Sequence, residues 1–191
     1  MVFAQRLDDD LSLGLLEEHH AAALFAVIEA DREDLRAWLP WVDATRSVDD
    51  VAGFIRASLA EFAAGRGLSC GVWSRGRLVG VASLRISGDD QTGEIGYWLA
   101  GEARGAGMVT RATRALIEHG FGDRGLHRVE LHAATGNWKS RAVAERLGFT
   151  LEGTLRDAEW VNDHYHDLAV YGLLRQEWPL TATDDPPAPV A

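Results

Sequence analysis

The pattern of hydrophobic and polar positions along the chain predicts a series of strands and helices. Residues 11–16 alternate between the two classes as in a strand with one buried face. Residues 17–31 are rich in Ala and Leu and begin with acidic side chains, which is typical of a helix. A second helix is predicted from a cap near Ser47 to Gly65.

The middle of the chain favours an antiparallel meander. Strand-like runs occupy residues 68–74, 78–86 and 93–100. The segments between them, residues 74–77 and 87–90, have the composition of turns. Three successive strands joined by short turns are therefore expected to pair with one another in chain order.

Helix and strand alternate after the meander. Helices are predicted at residues 107–121 and 138–147. Strands are predicted at residues 127–134, 149–160 and 164–174, and the last two meet at an Asn-Asp turn. The chain therefore combines an antiparallel part with a part in which helices connect strands.

The composition is that of a globular protein. The chain has 191 residues, of which 47% are hydrophobic and 25% charged, enough for one domain with a full core. We expect a single domain over residues 1–178 and a disordered tail over residues 179–191, which are rich in Pro, Ala and Asp. The net charge of -10, without a basic run, argues against a nucleic-acid partner.

The cysteine content and the lengths of the apolar stretches indicate the cellular compartment in which the protein is expected. Cys70 is the only cysteine, so no intramolecular disulfide can form, which fits a reducing compartment. No apolar stretch approaches membrane-spanning length, and residues 1–10 lack the basic start and apolar centre of a signal peptide. We therefore expect a cytoplasmic protein without a membrane partner.

The strongest local motif is Arg-Gly-Ala-Gly-Met-Val-Thr, from Arg104 to Thr110. Gly105 and Gly107 follow a predicted strand and open a helix, where backbone N–H groups without an intrahelical acceptor can bind phosphate. A dinucleotide-binding loop would need a glycine at position 110, and a nucleotide P-loop would need Lys-Ser/Thr after Gly107. Neither class fits, and an isolated Gly-x-Gly most often opens a helix without any ligand.

A second motif one strand later changes the interpretation of this loop. Asn137-x-x-Ser140 begins a predicted helix that closes in Leu-Gly-Phe at residues 147–149. Combined with Arg104-x-x-Gly107 at the start of the preceding helix, this pattern resembles the GNAT (Gcn5-related N-acetyltransferase) superfamily.

Further segments are similar to one branch of that superfamily, the ribosomal-protein N-terminal acetyltransferases of the RimL/RimJ type. They are Gly-Glu-Ile-Gly-Tyr-Trp-Leu at residues 93–99, Ala-Glu-Trp at 158–160 and Tyr-His-Asp at 165–167. The similarity extends over residues 11–178. It implies an α+β fold whose mixed, mostly antiparallel sheet is flanked by helices and splits in a V after its fourth strand.

The resemblance implies acetyl-CoA as cosubstrate, without a metal. Leu99 and Ala100 would present main-chain groups to the thioester and pantetheine, and Asn137 and Ser140 would reach the pantetheine and the sulfur. Val109 stands where the family loop commonly has Gly or Ala, a branched residue that RimL-like members often share. The residues expected to cradle the pyrophosphate are Arg104, Gly105, Ala106, Gly107, Met108, Val109 and Thr110.

Transfer of an acetyl group to an amine needs a base for the ammonium proton, a donor for the oxyanion and stabilisation of the thiolate. Many family members use a tyrosine as the acid, and that position is Ala144 here. Ser140 is therefore the candidate acid, with helix capping as an equally good interpretation. Glu159 matches the RimL-type glutamate as base, and Glu94 is its rival. A main-chain N–H near Leu99 is the expected oxyanion donor.

The acceptor side is the least diagnostic region. Residues 35–41 are expected to be irregular, and the resemblance places Trp38 and Trp41 in the acceptor groove together with Glu94 and Tyr97. It also implies an N-terminal amine of a ribosomal-type protein as acceptor, and a homodimer. A small amine such as a polyamine, an amino acid or an aminoglycoside is an alternative acceptor, and a coenzyme-A-binding module without turnover is an alternative function.

Two further patterns lack the context of the sites they resemble. Residues 67–71 match the Gly-x-Ser-x-Gly of a hydrolase, but they follow a helix and begin a strand, whereas a nucleophile elbow needs the reverse order. His164 and His166 share a strand face, but no third metal ligand appears at a telling spacing. We predict neither site, and we expect Cys70 to lie in the core.

Overall fold

The structure is a computed structural model, and it describes residues 4–87 and 90–179. The strands are β1 (Ala4–Arg6), β2 (Leu11–Leu15), β3 (Gly67–Ser74), β4 (Arg77–Ser87), β5 (Thr92–Leu99), β6 (Arg128–Ala134), β7 (Thr150–Val161) and β8 (His164–Leu174). The helices are α1 (Ala21–Ala30), α2 (Arg32–Arg36), α3 (Val48–Ala63), α4 (Met108–Phe121) and α5 (Trp138–Arg146).

Within the described residues the strands form one eight-stranded sheet in the order β1-β2-β3-β4-β5-β6-β8-β7. Neighbouring strands run antiparallel except for β5 and β6, which are parallel. This arrangement confirms the mixed, mostly antiparallel α+β fold that the resemblance implied.

The two halves of the sheet separate between β5 and β6. These strands pair only where residues 92–94 face residues 128–130. Both strands continue past the paired residues, β5 to Leu99 and β6 to Ala134. Their far ends therefore diverge, and the expected V-shaped split lies at this point of the sheet.

Helices cover both faces of the sheet. On one face, Ala112 and Leu116 of α4 are buried in a cluster with Ala82 of β4. On the other, Ile55 of α3 and residues of α1 are buried with Val81 of β4. Because successive residues of a strand point to opposite faces, positions 81 and 82 assign the two clusters to opposite sides of the sheet.

The largest difference from the predicted elements concerns residues 17–31. This segment is divided into a 3-10 turn, Glu18–His20, and α1. The backbone N–H of Glu17 donates to Nδ1 of His20 at 3.0 Å, which stabilises the separate turn. At Asp31 the backbone leaves the helical region with φ -126° and ψ 16°, and α2 starts afresh, so the first part of the segment predicted as irregular is helical.

The hydrophobic pattern also does not predict β1, because its three residues are too few to show an alternation and its existence depends on pairing with β2. Gly88 and Asp89 of the predicted turn, and residues 180–191 of the predicted tail, lie outside the described residues. None of the helices in the described part of the chain has the length and apolar character of a membrane span.

Candidate active site

A cleft of about 970 Å³ opens at the carboxyl end of β5, between the loop before α4 and the start of α5. Most of the site residues predicted from the sequence line it, namely Trp38, Tyr97, Leu99, Arg104, Gly105, Gly107, Met108, Val109, Thr110, Asn137 and Ser140. The others lie outside this lining, namely Ala100, Ala106, Trp41, Glu94 and Glu159.

The loop before α4 offers backbone N–H groups to the cleft. Gly105 and Gly107 have φ values of 85° and 70°, a conformation that glycine adopts without steric penalty. The N–H of Arg111 donates to the carbonyl of Gly107 at 3.1 Å and so begins the helical ladder. The N–H groups of residues 108–110 therefore have no intrahelical acceptor, and they lie at the positive end of the helix, which suits a phosphate group.

The cleft is basic although the chain as a whole carries a net charge of -10. The charged residues of its lining are Arg104, Arg111, Lys139 and Arg146 against the carboxylate of Asp34. Lys139 and Arg146 belong to α5, and sequence reasoning missed them although they share a helix with the Asn137 motif. Arg104 is paired with carboxylates and Arg111 lies 3.0 Å from the carboxylate of Asp8, so Lys139 and Arg146 contribute most of the positive charge that favours an anionic ligand.

The side chain of Arg104 is engaged within the protein. Its Nη2 lies 2.7 Å from the carboxylate of Asp31, its Nη1 lies 3.1 Å from that of Asp34, and its Nε donates to the carbonyl of Leu99 at 2.9 Å. Asp31 also accepts the backbone N–H of Gly101 at 2.6 Å. Arg104 therefore holds the loop against the end of β5, and no signal in the sequence pointed to Asp31 as its partner.

The backbone of β5 is open toward the split. The N–H of Ala100 donates to the carbonyl of Val79 at 2.9 Å, so residue 100 is hydrogen-bonded to β4. Backbone groups alternate in direction along a strand, so those of Tyr97 and Leu99 point away from β4, toward β6. Since pairing with β6 ends at Glu94, the N–H of Leu99 faces the gap, where the oxyanion donor was expected.

The structure shows which of Asn137 and Ser140 caps α5. The side-chain oxygen of Asn137 accepts the backbone N–H of Ser140 at 3.2 Å and so caps α5. The hydroxyl of Ser140 makes no cap, and its Oγ lies 3.0 Å from the hydroxyl oxygen of Tyr97. Ser140 is thus free of a structural duty in the helix and lies in the cleft wall.

Glu159 and Glu94 lie close enough for their charges to interact, although neither belongs to the lining of the cleft. Glu159 on β7 faces His166 on β8 across the strand pair, and it is half-buried. Burial raises the pKa of Glu159, the nearby charge of Glu94 raises it further, and His166 and His132 oppose the rise. Glu94 instead forms an ion pair with Arg85 at 2.9 Å.

The two tryptophans predicted for the acceptor groove have different surroundings. Trp38 lines the cleft, and its ring centroid lies 5.9 Å from that of His166, the neighbour of Glu159. The Nε2 atom of His166 is buried without a hydrogen-bond partner among the described residues. Trp41 instead packs against the cluster of α1 and α3, with its ring centroid 5.9 Å from that of Trp98.

The hydrolase-like pattern at residues 67–71 and Cys70 lack the geometry of a catalytic nucleophile. Residues 67–71 begin strand β3, so Ser69 is not at a strand-to-helix turn. Cys70 is buried, and burial raises the pKa of its thiol to about 12. Within residues 4–87 and 90–179, no group of three or more His, Cys, Asp or Glu side chains is placed to hold a metal ion.

Comparison with known proteins agrees with this geometry. YdaF of Bacillus subtilis (strain 168), provisionally named a ribosomal N-acetyltransferase, is 37% identical over 93% of this chain and 98% of its own. The ribosomal-protein-serine acetyltransferase of Escherichia coli (strain K12) is 31% identical over 88% of this chain and 95% of its own.

Among solved structures, the ribosomal L7/L12 alpha-N-protein acetyltransferase RimL in complex with coenzyme A superimposes with a TM-score of 0.87. The identity is 26%, and the match covers 92% of this chain and 99% of RimL. The model of the acetyltransferase (GNAT) domain family matches residues 10–150, which is most of the sequence. With its split sheet and its open helix start, the chain therefore belongs to the GNAT family of acetyltransferases.

Proposed function

We propose that the protein transfers the acetyl group of acetyl-CoA to the N-terminal amine of a protein of the ribosomal type. The observation that carries the proposal is the cleft at the end of β5, where the unpaired N–H groups of residues 108–110 meet a basic lining. A coenzyme fits this site if its pyrophosphate binds the unpaired N–H groups and its long neutral arm lies in the rest of the cleft. The relatives named for ribosomal proteins support the choice of acceptor.

In this proposal the coenzyme lies with its pyrophosphate on the loop and its thioester in the split of the sheet. The N–H of Leu99 would donate to the oxyanion that develops on the thioester carbonyl. Lys139 and Arg146 would add positive charge opposite the loop.

Proton removal is assigned to Glu159. An amine must be neutral to attack the thioester, and a carboxylate with a raised pKa is a better base near neutral pH than an ordinary glutamate. Glu94 is held by Arg85, which favours Glu159 over its rival. The electron pair of the broken C–S bond leaves with the sulfur, which Ser140 would stabilise, and the proton passes from the amine to Glu159, directly or through water.

The acceptor class is tested by mass spectrometry. Purified protein and acetyl-CoA are incubated with synthetic peptides that carry ribosomal-protein N-termini, with the same peptides blocked at the N-terminus, and with a panel of polyamines, amino acids and aminoglycosides. We expect one added acetyl group, located by fragmentation at the free N-terminal amine. Acetylation confined to the small amines would contradict the acceptor, and no stabilisation by acetyl-CoA in a thermal shift assay would contradict the donor.

We further propose that residues 1–178 form one catalytic domain, because a single sheet carries both walls of the cleft. Limited proteolysis should leave a fragment that ends near Trp178 and keeps the transferase activity.

A further inference from the structure

We propose that Tyr97 is a positioning residue for the thiolate leaving group, acting through the hydroxyl of Ser140. This inference rests on the proposed acetyl transfer. Tyr97 lies on β5 at the open side of the split, and Ser140 lies on α5 across the cleft. Their hydroxyl oxygens are 3.0 Å apart, and the Tyr97 hydroxyl also lies 3.2 Å from the carbonyl oxygen of Ser140.

A hydrogen bond from Tyr97 would orient the hydroxyl of Ser140. A serine hydroxyl has one hydrogen to donate and can rotate, so in the absence of a partner its direction is not determined. The cap of α5 is supplied by Asn137 and does not orient Ser140. The single hydrogen of the Tyr97 hydroxyl has two acceptors within reach, the carbonyl oxygen of Ser140 at 3.2 Å and its Oγ at 3.0 Å. In the arrangement in which Tyr97 donates to Oγ, the hydrogen of Ser140 is left for a third atom in the cleft. In the proposed complex this atom is the coenzyme sulfur.

The pKa values of Tyr97 and of a thiol argue against a direct proton transfer from Tyr97 to the thiolate. Burial raises the pKa of Tyr97 to about 12, and the hydrogen bond with Ser140 only partly offsets the rise. A cysteine thiol has a pKa of about 8.5, well below that of Tyr97, so a phenol of this acidity keeps its proton when a thiolate forms. Tyr97 therefore acts by fixing a hydrogen-bond donor in place, and the thiolate leaves with its negative charge stabilised by Ser140.

This pair also occupies the place in the mechanism that the family tyrosine would have held. Ala144 is completely buried in the main hydrophobic cluster and has no polar atom in its side chain. Tyr97 comes from a strand on the opposite wall, so the two tyrosine positions are not equivalent in sequence. The phenol in this protein reaches the leaving group from the sheet side and through a serine.

The test is a double-mutant cycle of Tyr97→Phe and Ser140→Ala. Tyr97→Phe removes only the hydroxyl, so it should leave the melting temperature and the Kd for acetyl-CoA nearly unchanged while it lowers kcat about five- to tenfold. Ser140→Ala should lower kcat at least as much. Because Tyr97 acts through Ser140, the double variant should be no slower than Ser140→Ala.

Tyr171→Phe is the matched control. The hydroxyl of Tyr171 also holds α5, since it accepts a hydrogen bond from Arg141 at 3.0 Å and donates to Glu145 at 3.1 Å, but it does not contact Ser140. The kcat of this variant should stay within about twofold of the parent protein, which separates the hydroxyl pair from general placement of the helix.

Several outcomes would overturn the inference. They are a wild-type kcat in Tyr97→Phe, losses that multiply in the double variant, a wild-type kcat in Ser140→Ala, and an equal loss of kcat in Tyr171→Phe. Failure of the proposed function is distinguishable from all of these, because the parent protein itself would then transfer no acetyl group.

Discussion

The carboxylate of Asp31 lies 2.7 Å from the guanidinium of Arg104 and so joins the end of α1 to the loop that precedes α4. The same carboxylate accepts the N–H of Gly101 directly after β5. One acidic side chain at the end of α1 thus holds two points of the segment between β5 and α4.

Asp31→Ala should weaken acetyl-CoA binding and lower stability together. The substitution leaves the guanidinium of Arg104 and the N–H of Gly101 without this acceptor, so we expect a loss of about 1–3 kcal/mol in unfolding free energy and a several-fold higher Kd. Chemical denaturation and isothermal titration calorimetry measure the two effects. Asp43→Ala, which breaks an exposed pair with Arg36, is the control and should change neither appreciably. An unchanged Kd in Asp31→Ala would show that the loop does not depend on this contact.

Gly80→Ala should disturb the end of β5. A Cβ atom on Gly80 would overlap the carbonyl oxygen of Trp98 and lie 2.9 Å from Cα of Leu99, and backbone atoms cannot move aside cheaply. We expect a destabilisation of about 2 kcal/mol or more and a lower kcat, because the backbone of Leu99 shifts. Gly96→Ala is the matched control, since its Cβ would meet only Ser83 Oγ at 3.4 Å. Equal stability of the two variants, measured by thermal unfolding, would contradict this packing argument.

Glu159→Gln should lower kcat far more than Glu94→Gln. If Glu159 is the base, it must be ionised, so activity falls as the pH drops through its pKa. Because burial raises that pKa, the acidic limb of the kcat/KM profile should lie above the ordinary value of 4.5 for a glutamate. The profile of the parent protein measures this limb. A limb at the ordinary value, or a larger loss in Glu94→Gln, would assign the base elsewhere.

Glu159→Gln should not lower the stability at neutral pH. A folded-state pKa above the unfolded value means that the ionised carboxyl is disfavoured by folding, so stability decreases as the pH rises through the folded pKa. The glutamine removes this effect, and we expect a melting temperature at pH 7 equal to or above that of the parent protein. A melting temperature of Glu159→Gln that is clearly lower than that of the parent protein at pH 7, but not at acidic pH, would contradict a raised pKa of Glu159.

Trp38→Ala and Trp41→Ala should separate acceptor binding from stability. Trp38 lines the cleft and is partly exposed, so its loss should raise the KM for the acceptor with little change in unfolding free energy. Trp41 packs in the cluster of α1 and α3, so its loss should destabilise the protein by about 2–4 kcal/mol. Steady-state kinetics and denaturation on both variants test the contrast, which an inverted pattern would refute.

The loop before α4 and the start of α5 could be predicted from the sequence because their signals lie in neighbouring residues. Gly105 and Gly107 precede a helix, and Asn137 precedes the next one, so the exposed N–H groups and the cap follow from a few neighbouring residues. The periodicity that predicted the strands likewise depends on neighbours along the chain. The family resemblance then supplied the meaning of the glycine loop, which by itself indicated no ligand.

Tertiary structure decided which side chains meet. Tyr97 and Ser140 are 43 positions apart, and Asp31 and Arg104 are 73 apart, so their contacts depend on the register of the sheet and on the packing of helices against it. The same holds for Trp41, whose neighbour Trp98 belongs to β5. Sequence alone predicted a helix start with unpaired backbone N–H groups, because that geometry is local. It did not determine the partner of Ser140 or the neighbours of Glu159, because those follow from long-range packing.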